Sequence, residues 1–301
     1  MTWLQGVGYN APGAHANHCL ELADGLPKRS MLLTYAILTI LAYCASWGLY
    51  ARSLYSPHAR GGRAATIFLA AGLLAHYFLL LERSHLVGSV PYRDLHGAMS
   101  LFGWLLGITY LGLELYHRER AVGTFVVPFI LLFLLAARST QAVAPASPVP
   151  PHSVVFALHV TLSILAYAAF ALSFVLSAMF LAQERLLRSR RMGNVVWRFP
   201  ALELLERMSR SSVLVGLASI VAGTLLGFVS VGRLTGQVWH YDPKYVATLF
   251  VLFLYAAYLV VGRTANWRGA RASKLCVFNF VIVVLSFTVV NVFLSKSHRY
   301  F

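Results

Sequence analysis

The sequence predicts an all-α, polytopic membrane protein of about eight transmembrane helices, with both termini outside the cytoplasm. Its 301 residues are 58% hydrophobic and only 12% charged, with a mean hydropathy of +0.68, so there is too little polar surface to cover a water-soluble globule. Eight apolar stretches can be marked off, each about as long as a helix that crosses a hydrocarbon core. Lys and Arg are unequally shared between alternate connections, sixteen of twenty-five falling after the odd-numbered stretches. Soluble enzyme folds are excluded.

The first span, 31–51, begins behind thirty mixed residues and is long enough to cross, which argues against a cleaved signal peptide and keeps it in the mature protein. Arg52, Arg60 and Arg63 follow it. The second, 64–81, leads past Arg83 and Arg93 to the third, 96–116, which is followed by Arg118 and Arg120. The fourth, 121–137, runs into Arg138 and the Pro-rich segment from Ala144 to Pro151. That segment cannot be helical throughout and reads as a rigid loop entering the fifth span, 153–182. Next comes the basic connection 183–211, with Arg185, Arg188, Arg190, Arg191, Arg198, Arg207 and Arg210. Within it Leu202, Leu204, Leu205 and Met208 fall close to helical spacing, so it holds either a short interfacial helix or a solvated connector. Spans 212–232, 245–262 and 272–294 complete the chain, with Arg263, Arg268, Arg271 and Lys274 between the last two. The positive-inside bias makes the odd connections cytoplasmic; Lys28 and Arg29 oppose this locally and are outweighed by the connection after span five.

A net charge of +15 and a pI near 10.1 would point to nucleic acid in a soluble chain. Here the basic residues sit between apolar spans and report topology, so no nucleic-acid partner is expected. Cys19, Cys44 and Cys276 form no CxxC pair and no CxxCH box, which excludes a thioredoxin-like motif and a covalently attached c-type haem.

Of eleven histidines, the topology leaves only His58 and His117 on the cytoplasmic side. His152 and His159 open span five, His240 lies in the outer loop between spans six and seven, His298 follows span eight, and His76, His85 and His96 flank the outer loop between spans two and three. Neutral imidazole is a usual axial ligand for haem iron and a common one for zinc or copper. No HxxxH, HExxH or Cys–His pair stands in a span and no carboxylate lies mid-membrane, so zincin, di-iron and copper-oxidase sites lack their ligands. A flat, apolar macrocycle held by histidines from two helices stays open. Trp239, Tyr241, Tyr255 and Tyr258 near the outer loop are either its aromatic walls or an interfacial aromatic belt.

The run Gly236-Gln237-Val238-Trp239-His240-Tyr241-Asp242-Pro243-Lys244-Tyr245 resembles the WWD segment, G-x-x-W-x-W-D-P-K-E, of the cytochrome c assembly family of haem-handling membrane proteins, the CcsA/ResC/CcmC group and its HemX relatives. The likeness continues from about Gly223 to Tyr300, through Tyr258-Leu259, Gly269, Val290-Asn291 and Ser297-His298-Arg299-Tyr300. Leu158-His159-Val160 with Ala166-Tyr167-Ala168 is similar to the family's H-V helix, and Pro200-Ala201-Leu202-Glu203 to its cytoplasmic P-s-L-e segment. Residues 1–149 match only in layout. The resemblance divides the chain into an N-terminal four-helix membrane region, 1–149, and a C-terminal four-helix region, 150–301, that carries the WWD-like pattern.

The resemblance implies a bacterial inner-membrane protein that binds haem b non-covalently at its outer face and hands it to cytochrome c biogenesis. His159 and His298 would be the axial ligands of the haem iron, with His152 and His240 in reserve, and Trp239, Tyr241 and Asp242 would lie against the macrocycle. It implies a ResB/CcsB-type partner, an apocytochrome c client and no bond-making catalysis by this chain. Departures from the pattern are Ser230 and Thr235 at two tryptophan positions, Tyr241 for the W before D, Tyr245 for the closing E, and Val260 where the family has a further histidine. These leave two other readings open: a HemX-like regulator of haem synthesis, acting through the basic loop 183–211, and a structural membrane subunit of an electron-transfer complex.

Overall fold

Inside a hydrocarbon layer no water is present to satisfy backbone N–H and C=O groups, so an apolar stretch that crosses it pairs them within itself as a helix. The computed structural model describes residues 13–55, 61–88, 90–92, 94–140, 154–189, 199–235 and 243–289, and in these the chain is all-helical. The α-helices are α1 (Gly13–Tyr55), α2 (Gly61–Val87), α3 (Leu95–His117), α4 (Gly123–Ser139), α5 (Val154–Arg188), α6 (Leu202–Thr235), α7 (Pro243–Val261) and α8 (Ala270–Val289). Five segments, Ser30–Leu54, Gly62–Val87, Leu95–His117, Val154–Arg188 and Leu202–Ser230, are long and apolar enough to cross a membrane; Gly123–Ser139 and Tyr245–Val261 are apolar but shorter. The protein is a multi-pass membrane protein. Large apolar side chains such as Leu41, Ile67, Leu225, Phe253 and Leu285 are 59–67% exposed on the helix surfaces, where lipid rather than water meets them.

Helix ends follow local chemistry. Gly88, with φ +68°, takes the left-handed conformation just past α2 that a residue with a Cβ enters only at a cost. Asp94 caps α3 by accepting from the Gly97 N–H at 3.3 Å, and its other oxygen pairs with Arg83 near the end of α2, tying α2 to α3. Pro243 opens α7 at the one position where its missing N–H costs nothing.

Two apolar cores share α5 and α6. The first joins α1–α4 to Leu172, Val175, Leu176 and Phe180 of α5 and to Leu205 and Met208 of α6. The second packs Ala166 and Phe170 of α5 and Val213 and Ile220 of α6 against Val251, Tyr255, Cys276 and Val283 of α7 and α8. Of the apolar stretch of α5, 61% is buried inside the protein, against 22% for α1, so α5 is the central helix and α1 a lipid-facing one. This packing matches neither reading of the segment around Leu202–Met208, a separate interfacial helix or a solvated connector. Leu205 and Met208 are 1% and 0% exposed, so their apolar side meets the protein core, and the segment forms the first turns of α6.

The α5–α6 seam is built from small residues, which is how helices approach closely where the hydrophobic effect gives no drive. Near the end where α6 starts, hydroxyls stitch it: Ser177 and Ser209 lie 3.0 Å apart, and Ser212 Oγ donates to the Ala169 carbonyl at 2.7 Å. Further along, Gly216 leaves room for the Phe170 ring, which stacks on Tyr255 with centroids 3.8 Å apart. Beyond that, Gly223 and Gly227 face the second turn of α5.

Candidate haem-ligand site

His159 sits in the second turn of α5, partly buried against α6. Its Nδ1 donates to the Gly223 carbonyl oxygen at 2.6 Å. A carbonyl only accepts, so Nδ1 carries a proton, and in the neutral tautomer this leaves the lone pair on Nε2. Nε2 has no hydrogen-bond partner among the described residues. Fixing one ring nitrogen on a backbone carbonyl is the usual arrangement that frees the other to ligate a metal. The ring lies over Gly227 and beside Phe156, 6.1 Å away between centroids. Phe156 in turn meets Tyr92 of the α2–α3 connection edge-on at 6.0 Å, which brings that connection to within one aromatic side chain of His159.

The other histidines have different surroundings. His76 is fully buried between α1, α2 and α3, with Nδ1 3.2 Å from the Tyr43 hydroxyl and Nε2 3.0 Å from Ser100 Oγ, so both nitrogens are used in the core. His117 Nε2 meets Ser211 Oγ of α6 at 3.0 Å, and His96 Nδ1 lies 3.4 Å from the Thr140 carbonyl. His298, Trp239, Tyr241, Asp242, His152 and His240 lie outside the described residues. On either side of the four that fall between α6 and α7, Phe228 near the end of α6 stacks on Tyr245 in the first turns of α7, 5.1 Å apart at 15°.

Tyr255 and Tyr258, expected near the outer loop, lie in the second half of α7. Tyr255 is 0% exposed against Phe170, and Tyr258 is 3% exposed one turn further along α7, so both fill the second core. Val260 is 65% exposed on the outer surface of α7. Ser230, at one of the pattern's tryptophan positions, is 3% exposed, and its hydroxyl has no partner among the described residues. It follows Gly223 and Gly227 on the same side of α6, at the i+7 and i+3 positions that keep a helix face.

Among the described residues no three His, Cys, Asp or Glu side chains gather as a metal-binding group. One pre-oriented imidazole, a small-residue helix face beside it and an unsatisfied buried hydroxyl fit a ligand that asks the protein for axial nitrogens and shape. Haem is such a ligand.

Two features were missed in the sequence. Gly223 and Gly227 form a G-x-x-x-G spacing inside span six, a legible signal for close helix contact. Glu114 is the only acidic residue that falls within the eight predicted spans, and it is 2% exposed. It accepts from the hydroxyls of Tyr50, at 2.5 Å, and Thr66, with Arg120 at 3.8 Å, so it joins α1, α2 and α3.

Comparison with known proteins agrees with this arrangement. The sequence model of the family described as cytochrome C assembly protein matches residues 92–298. The chain is 25% identical over 255 residues to Protein HemX of Brevibacillus brevis, covering 83% of this chain and 92% of that one. It is 24% identical over 262 residues to Protein HemX of Bacillus subtilis (strain 168), covering 86% and 95%. Against cytochrome c biogenesis protein CcsA of Guillardia theta it is 27% identical over 234 residues, covering 71% and 77%. The matched span takes in His159, the glycine face of α6 and the whole WWD-like loop, and with it this all-helical, multi-pass chain belongs to the cytochrome c assembly family.

Proposed function

We propose that the protein binds haem b non-covalently at the outer face of a bacterial inner membrane, through His159 and His298, and presents it for cytochrome c biogenesis. The observation that carries this is the His159 ring, with Nδ1–H committed to the Gly223 carbonyl and Nε2 left for a ligand. In this reading all eight helices span, both termini face outward, and residues 150–301 are the haem-handling half. Trp239, Tyr241 and Asp242 pack against the macrocycle, and His152 and His240 are the next ligand candidates.

When bound, haem supplies the reactive periphery, and the thiols come from the CxxCH cysteines of an apocytochrome c client. This chain's residues bind, orient and shield. A ResB/CcsB-type protein with a large outer domain is the assembly partner.

The test is the absorption spectrum and haem content of the purified full chain, with His159→Ala and His298→Ala against His58→Ala as a control. A Soret band lost in both outer variants and kept in the control supports the assignment. Unchanged haem in both rejects it.

A second reading is a HemX-like regulator of haem synthesis acting through the basic connection between α5 and α6, and two HemX proteins, covered over 92% and 95% of their lengths, speak for it. Val260, pointing away from the core where the pattern has a histidine, favours it too. A wild-type chain that takes up no haem would leave this reading and that of a structural membrane subunit.

A further inference from the structure

The His159 ring occupies a slot that α6 makes for it. A Cβ on Gly227 would lie 2.8 Å from its Cε1 and 2.9 Å from its Nδ1, closer than side-chain carbons come, so the ring and any side chain at 227 exclude each other. The Gly223 carbonyl, one helical turn away, is the atom that receives the Nδ1 proton at 2.6 Å. The seam places it there because a glycine at 223 also lets α6 approach Ser163 Oγ to 3.2 Å and the His159 carbonyl to 3.4 Å, measured from the site of an added Cβ. Ser163 Oγ donates to that same His159 carbonyl at 2.8 Å, holding the turn of α5 that carries the ring.

We propose that Gly223 and Gly227 are positioning residues for His159: the Gly223 carbonyl decides which ring nitrogen is free, and the bare Cα of Gly227 decides where the ring sits. The proposal deepens the haem reading and takes its ligand from it, but the geometry is testable without haem. A displaced ring loses the Nδ1–H···O bond and reverts to the tautomer that water favours, with the proton on Nε2, the nitrogen needed for ligation.

The experiment uses the full chain in lipid nanodiscs, stripped of haem and labelled with 15N-histidine, with the His159 resonances identified by their loss in His159→Gln. The wild type should show Nδ1 protonated and Nε2 bare, a measurement that needs no variant to fold. Gly227→Ala should shift the proton to Nε2. Gly216→Ala, which crowds Phe170 at the same helix seam without touching His159, should leave the tautomer unchanged.

Titration with haem should then show affinity reduced by about 10-fold or more in Gly227→Ala, the loss usual for groups that orient a ligand, and wild-type affinity in Gly216→Ala. Equal melting temperatures of the two variants would separate positioning from general destabilisation. A wild-type His159 protonated on Nε2, or a Gly227→Ala variant with unchanged tautomer and haem affinity, overturns the proposal. The expected tautomers in a wild type that gives no Soret band would support the positioning role and overturn the haem reading alone.

Discussion

Phe228 and Tyr245 stack face to face, 5.1 Å apart at 15°, and so clasp the ends of α6 and α7 on either side of the WWD-like loop. Tyr245 stands where the family pattern has glutamate, so an aromatic side chain takes the place of a charged one at the loop's base. Such a stack contributes about 0.5–1.5 kcal/mol beyond the area it buries. Tyr245→Ala should lower the melting temperature of the solubilised protein, and by more than Tyr245→Phe, which keeps the ring. Equal losses in both would show that the hydroxyl, not the ring, makes the contact.

Trp239 belongs to the loop that this clasp frames. If it lies against a macrocycle, Trp239→Ala removes apolar contact worth roughly 1–3 kcal/mol and weakens haem retention by about tenfold or more, with the helices intact. Haem retention and thermal stability measured side by side decide the matter: reduced stability with unchanged haem binding would make Trp239 a membrane-belt residue.

The charge asymmetry gives a topological prediction. Reporter fusions at Phe301 and within 190–198 should report opposite sides of the membrane, since sixteen of twenty-five basic residues fall in the odd connections. Cytoplasmic signals from both would refute the orientation.

Glu114 gives a prediction independent of any ligand. Its removal leaves the Tyr50 hydroxyl without its acceptor where α1, α2 and α3 meet, whereas the Thr66 hydroxyl can still donate to the Gly62 carbonyl at 3.1 Å. Each buried group left unsatisfied costs about 1–3 kcal/mol, so Glu114→Ala should destabilise the N-terminal helices clearly, and Glu114→Gln, which keeps an acceptor, less. A melting temperature unchanged in Glu114→Ala would show that the network carries no stability. Haem content in Glu114→Gln should remain at the wild-type level, because Glu114 sits in the first core and His159 at the far end of the α5–α6 seam.

The order and type of the helices were legible residue by residue, because length and apolarity are properties of one segment and the hydrocarbon layer leaves an apolar segment one way to pair its backbone. Over its described residues each of the eight apolar stretches falls inside a helix to within two residues, and the family was readable from short runs around His159 and Asp242. What a side chain does on its helix was not legible, because that depends on which face of a distant segment it meets. Leu205 and Met208 have the spacing of an interfacial helix and are core residues only because α6 packs its first turns against α3 and α5. Tyr255 looks like a wall for a ligand near the loop until Phe170 is seen stacked on it. Among the histidines, sequence assigned sides of the membrane but not hydrogen-bond surroundings. Tertiary structure spends both nitrogens of His76 on hydroxyls and leaves Nε2 of His159 without a hydrogen-bond partner among the described residues, while the carbonyl that takes its Nδ1 proton lies sixty-four residues away across the glycine face of α6.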